Sequence, residues 1–195
     1  MPDNEFGAFL GGFISLGLLI SSVYVVRTSK GIFTGALVLA LAAASTSAVA
    51  LARGYRGHPL VEGAFSLFYA YMTIAIFLEV IKSRRVSADT ILGIVCVYLL
   101  IGVTFGTLYD LIETLQPGSF HLNAATGGGE RIGWRTLIFF SFMTLTTVGY
   151  GDIIPATSQA QSLAIIEGVI GVLYVAVLIA RIVGIYSQTD RGVDD

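Results

Sequence analysis

The stretch Thr146-Thr147-Val148-Gly149-Tyr150-Gly151-Asp152 lies between a short apolar segment, 135–146, and a long one, 159–185. Gly149 and Gly151 can take φ values that a residue with a Cβ avoids. That freedom lets successive carbonyls point the same way, toward a common axis. The bland reading is a flexible turn, and Gly54-Tyr55-Arg56-Gly57 shows how cheaply a similar string arises; that one is read as a plain loop. The seven-residue string differs in its length, in Pro155 behind it and in the apolar segments that flank it.

Composition sets the class. Of the 195 residues 55% are hydrophobic and only 12% charged, and the mean hydropathy is +0.82, which is too apolar for a soluble domain of this length. A net charge of −2 gives no reason to expect nucleic acid as a partner. Cys96 is alone in an apolar run, so neither a disulfide framework nor a metal cluster is expected. His58 and His121 have no ligand-like neighbours, and no nucleophile–base pair is recognisable. No catalytic residue, no cofactor and no enzyme activity are expected.

Apolar runs occupy roughly 7–26, 32–52, 60–81, 90–112 and 159–185. Each can cross the ~30 Å of hydrocarbon that takes about 20 helical residues. The run 135–146 is too short and reads as a re-entrant helix, because irregular backbone at membrane depth survives only where protein or a water-filled cavity shelters it. No repeat appears, and the one candidate border is near 82–89. The start, Met1-Pro2-Asp3-Asn4-Glu5, lacks a basic n-region, so the first run is expected to be a retained span.

Five spans put the termini on opposite sides. With the C-terminus inside, Arg27, Lys30, Lys82, Arg84, Arg85, Arg181 and Arg191 are internal, and Arg53, Arg56, Arg131 and Arg135 external. The excess favours an outside N-terminus and a cytoplasmic C-terminus, although Arg53 and Arg56 count against it.

From about residue 90 to 186 the chain resembles the two-helix pore module of the potassium-channel superfamily, and among its members the small prokaryotic ones. Thr147-Val148-Gly149-Tyr150-Gly151 matches that family's selectivity filter. The resemblance implies an outer helix (90–112), a pore helix (135–146), the filter (147–151) and an inner helix (159–185). It implies that K+, the transported ion, is held at Thr147, Val148, Gly149 and Tyr150, with Gly151 closing the filter and Asp152 just outside it. The Thr147 hydroxyl would add a further ring of oxygens. One loop supplies a quarter of each ring, so a homotetramer in the lipid bilayer is implied. The charge-based orientation turns the filter outward, as such a channel requires. The expected fold class is an all-α membrane protein: five transmembrane helices plus a re-entrant pore helix and filter loop. Its expected parts are a three-helix region (1–82), the pore module (90–186) and a short cytoplasmic tail (187–195).

Gly171 matches the glycine at which family inner helices often bend; the alternatives are close packing against a neighbouring helix, and Gly168, three residues earlier, in either role. Val175, Ile179 and Ile182 can share a pore-facing stripe with Gly171 and close the pore by dewetting, or simply face lipid or a packed neighbour. Arg181 is expected to snorkel to the inner surface rather than line the conduction path. Many relatives carry tryptophans on the pore helix and a polar residue behind the filter. Here Phe139, Phe140 and Met143 stand there, none a donor like indole. Glu167, one turn before Gly171, either braces the filter in their place or pairs near the outer interface.

The run 60–81 offers Glu62 and Glu79 but no Arg or Lys, so strong voltage sensing is rejected. Lys82, Arg84 and Arg85 either touch anionic lipid headgroups or form a solvated anchor. The small residues of Ala42-Ala43-Ala44-Ser45-Thr46-Ser47-Ala48 and the aromatics of 60–81 suit a packed scaffold of unassigned role. Outside, 114–133 reads as a polar turret with Gly127-Gly128-Gly129, and Asp110, Glu113, Glu130 and Asp152 either make the mouth negative or are ordinary loop charges. The rival functions are a weakly selective cation channel and a non-conducting channel-like subunit. A carrier would need a repeat-related pair of interrupted helices, which is not seen.

Overall fold

The computed structural model describes residues 30–53, 58–82, 88–123 and 132–191. The first apolar run, Arg84, Arg85, the triple glycine at 127–129 and Glu130 lie outside them.

Among the described residues five helices and two short strands follow in order: α1 (Lys30–Ala52), α2 (Pro59–Lys82), α3 (Ala88–Leu115), β1 (Phe120–Leu122), α4 (Trp134–Leu145), β2 (Ile153–Pro155) and α5 (Ser158–Arg191). Among the described residues three stretches are long and apolar enough to cross a membrane, Pro59–Lys82, Thr90–Leu115 and Ser158–Arg181. The described apolar part of α1 runs from Thr34 to Ala50. Its hydroxyls are satisfied locally: Ser45, Thr46 and Ser47 donate to the carbonyls of Ala42, Ala43 and Ala44 at 2.9, 3.0 and 2.9 Å. Pro59 opens α2 at a position where its missing N–H costs nothing. Pro117 follows the end of α3, which it cannot continue.

The helices pack in sequence order, α1 on α2, α2 on α3, α3 on α4 and α4 on α5, with α5 also touching α3. One apolar core runs through them, from Phe68, Met72 and Ile76 on α2, through Val97, Ile101 and Phe105 on α3, to Leu137 and Leu145 on α4. Thr73 and Thr104 bridge α2 and α3 by a hydroxyl–hydroxyl bond of 3.0 Å. The segment 30–82 therefore packs on α3 and, through it, α4 in one shared core. Helix α5 is the exception. Only 11% of its spanning window is buried in the single chain, against 44% for α3.

The two strands correct the all-helical expectation. β1 and β2 pair antiparallel, with Phe120 opposite Pro155, His121 opposite Ile154 and Leu122 opposite Ile153. The ladder is prolonged by Asn123 N–H to the Asp152 carbonyl and Ala156 N–H to the Ser119 carbonyl, both 2.8 Å. The first part of the expected turret is thus paired backbone that ties the chain after α3 to the chain after the 147–151 loop.

Candidate functional site

Helix α4 has 12 residues, about 18 Å at 1.5 Å per residue, which is too short to cross a membrane. It is held close to α3 by small residues. A Cβ on Gly102 would lie 2.8 Å from the Phe142 ring, and one on Gly106 would lie 2.7 Å from the Ile138 side chain. Near the C-terminal end of α3, Tyr109, Phe120 and Phe140 form a mutually edge-on trio, with centroids 5.1–5.4 Å apart. The trio locks α3, β1 and α4 together.

The chain leaves α4 by spending the helix's last free carbonyls on the loop. Thr146 N–H donates to Phe142 O at 3.0 Å, and Thr147 N–H to Thr144 O at 3.0 Å. Met143 O accepts from both Val148 N–H (2.9 Å) and Gly149 N–H (3.1 Å). Beyond that point positive φ recurs at alternate residues: Thr147 at 59°, Gly149 at 52° and Gly151 at 78°. For the two glycines this costs little. For Thr147, which is β-branched, it is strained by about 1–3 kcal/mol, the kind of outlier that collects at functional sites. Among the described residues no backbone N–H is directed at the carbonyls of Thr147, Val148, Gly149 or Tyr150. Residues 146–151 are exposed in the single chain, Tyr150 by 68%. Asp152 is half-buried, and its carbonyl is held by Asn123.

Of Phe139, Phe140 and Met143 on α4, Phe139 meets the loop directly. Its ring stacks on Tyr150 with centroids 6.4 Å apart and planes 14° from parallel. Phe140 belongs to the aromatic trio, and Met143 contributes its carbonyl.

Glu167 is fully buried. Tyr109 Oη donates to its Oε2 at 2.6 Å, and its Oε1 is bonded to Ser141 Oγ. Its partners therefore lie on α3 and α4 rather than on Tyr150 or Asp152. The carboxyl fastens α4 to α3 and α5.

Gly171 is buried where α5 passes the end of α4, and α5 is helical without interruption through it. Gly168 has open space where a Cβ would stand. Val175 and Ile179 are exposed on the same side of α5; Ile182 is in the helix, with its side chain outside the described residues. Arg181 does not reach for water alone: its Nη1 and Nη2 donate to the carbonyls of Val80 (2.9 Å) and Ile81 (2.7 Å) at the C-terminus of α2. Lys82, the last residue of α2, is exposed.

One of the acids expected at the outer mouth has a structural task. Glu113 accepts from Gly118 N–H (2.9 Å) and Phe120 N–H (3.1 Å), which fixes the turn into β1. Asp110 lies close to Glu62 across the α2–α3 contact. Sequence reasoning did not find Tyr109 or Ser141, and it named Glu113 only as a charge of the outer mouth or loop. A lone serine in the middle of an apolar pore helix was the one signal available for Ser141.

Comparison with known proteins covers the same part of the chain. A family model described as ion channel matches residues 93–188, just under half of it. The inward rectifier potassium channel Kirbac3.1 of Paramagnetospirillum magnetotacticum is 31% identical over 100 residues, which are 49% of this chain and 29% of that protein. Two-pore potassium channel 4 of Arabidopsis thaliana is 33% identical over 94 residues, 48% of this chain and 30% of its own length. Protein LctB of Bacillus caldotenax is 28% identical over 102 residues, 52% of this chain and 75% of that protein. The chain spans less than a third of the first two. Residues 93–188 are thus similar to an ion-channel domain, and two of the proteins the chain resembles there are potassium channels.

Proposed function

We propose that four copies of the chain surround one axis and conduct K+ selectively down its electrochemical gradient. The carbonyls of Thr147, Val148, Gly149 and Tyr150 would coordinate the ion, with Gly151 closing the filter and Asp152 at the outer mouth. One observation carries the reading: φ is positive at 147, 149 and 151, and the intervening carbonyls have no backbone donor among the described residues. Backbone carbonyls away from water need a partner. A dehydrated cation ringed by four chains supplies one.

The bare face of α5 supports the assembly. Ile165, Ile166, Val169, Val172 and Leu173 are all exposed in the single chain, a larger apolar surface than a lone soluble unit leaves uncovered. Neighbouring copies and lipid would cover it. Below Gly171, Val175, Ile179 and Ile182 are the proposed hydrophobic gate. The chain would cross the cell membrane several times, with its N-terminus outside and C-terminus cytoplasmic. Lys82, Arg84 and Arg85 would then lie at the inner surface near anionic headgroups.

Purified protein in liposomes tests the proposal. A K+ gradient should drive flux that barium blocks and Gly149→Asp abolishes, whereas a Na+ gradient should drive none. Equal flux of both ions would reduce the site to a weakly selective pore. Absence of flux from a tetrameric preparation would favour a non-conducting subunit.

A further inference from the structure

The buried contact behind α4 can be read proton by proton. Glu167 Oε2 receives the Tyr109 hydroxyl proton at 2.6 Å. Ser141 Oγ lies within hydrogen-bond reach of two acceptors, the Gly102 carbonyl at 2.6 Å and Glu167 Oε1. A serine hydroxyl has one proton. The Gly102 carbonyl has none to give, so two oxygens at 2.6 Å place the Ser141 proton between them. Ser141 then offers Glu167 only lone pairs. An ionised carboxylate offers only lone pairs in return, and the contact would be repulsive.

A proton on Glu167 Oε1 removes the conflict. We infer that Glu167 is held as a neutral carboxylic acid that donates to Ser141, forming an ordered chain from Tyr109 through Glu167 and Ser141 to the Gly102 carbonyl. Three protons then fill three bonds, in keeping with the absence of any unpaired buried side-chain polar atom among the described residues. The surroundings agree. Among the described residues no basic side chain is bonded to this fully buried carboxyl, and burying an uncompensated charge is expensive. The groups that face it are the Tyr109 hydroxyl from α3 and the Ser141 hydroxyl from α4. Tyr98, next on α3, directs its own hydroxyl to the Leu145 carbonyl at 3.3 Å.

Glu167 is therefore a positioning residue. It joins three helices and gives Ser141 a fixed donor direction, which a carboxylate accepting from both sides would not do. That this steadies the 147–151 loop rests on the proposed channel reading; the protonation does not.

Infrared difference spectroscopy of the membrane-reconstituted protein at neutral pH tests the inference. Wild type minus Glu167→Gln should show the C=O band of one protonated carboxylic acid. Glu167→Gln should also keep its thermal midpoint near wild type, since an amide donates to Ser141 and accepts from Tyr109. Glu167→Asp, too short for both, should fall. If Glu167→Gln does not fold, Tyr109→Phe supplies the test, because removing the donor to Oε2 should shift the same band upward. A difference spectrum with only carboxylate bands, or a carboxylic-acid region that Tyr109→Phe leaves unchanged, overturns the inference. Failure of ion flux would leave the spectra as they are, so the two readings fail separately.

Discussion

Gly171 of α5 lies against the Leu145 carbonyl of α4 so closely that a Cβ would stand 2.3 Å from the oxygen. No side chain fits there without moving the end of α4. This gives the packing reading of Gly171 a geometric basis in the conformation described. Any bend at this point on opening would have to part α5 from that carbonyl.

Gly171→Ala should destabilise the protein by about 1–3 kcal/mol through overpacking. Gly168→Ala, where the added Cβ meets nothing, should be neutral or stabilising by up to about 1 kcal/mol. Thermal unfolding of the two variants side by side makes the comparison. Equal behaviour would remove the packing role.

The Arg181 guanidinium occupies two of the carbonyls that the C-terminus of α2 leaves without helical partners. Arg181→Gln should loosen that end, with a cost of about 1–3 kcal/mol after allowance for its partial exposure. Arg181→Lys should recover only part, because an ammonium lacks the planar fork. Faster amide exchange at 79–82 in Arg181→Gln is the expected signature, and unchanged exchange contradicts it.

Glu113 fixes two amides of the turn into β1. Replacing it with Ala should cost about 1–2 kcal/mol and speed exchange of the Gly118 and Phe120 amides. The β1–β2 ladder should weaken with them, since Phe120 is its first residue.

Phe139 and Tyr150 stack face to face, a contact worth about 0.5–1.5 kcal/mol. On the proposed function, Phe139→Ala should leave assembly intact but reduce discrimination between K+ and Na+. Phe139→Trp should retain it. Wild-type selectivity in Phe139→Ala would show that Tyr150 is held by other means.

How far the sequence could be read follows from the range of the interactions. Apolar runs at 60–81, 90–112, 135–146 and 159–185 sit within one to six residues of the observed ends of α2 to α5, because hydropathy and short-range punctuation such as Pro59 and Pro117 act locally. The glycines at 149 and 151 announced their backbone freedom by type. Thr147 did not, since nothing local asks a β-branched residue for positive φ; it is imposed by the loop that follows Met143 O. The strands escaped notice because three residues each carry no period, and their pairing joins segments some 30 residues apart. Glu167 stood out as an ionisable group in an apolar run, but its partners Tyr109 and Ser141 are 58 and 26 residues away. Arg181 reaches 100 residues back, to the end of α2, and no sequence pattern marks that bond.

The most direct test of the central claim is the reversal potential of single channels in a planar bilayer with K+ on one side and Na+ on the other. The account predicts a large displacement from zero in the direction set by the K+ gradient, lost with the current itself in Gly149→Asp. A current that reverses near zero under these conditions would contradict it.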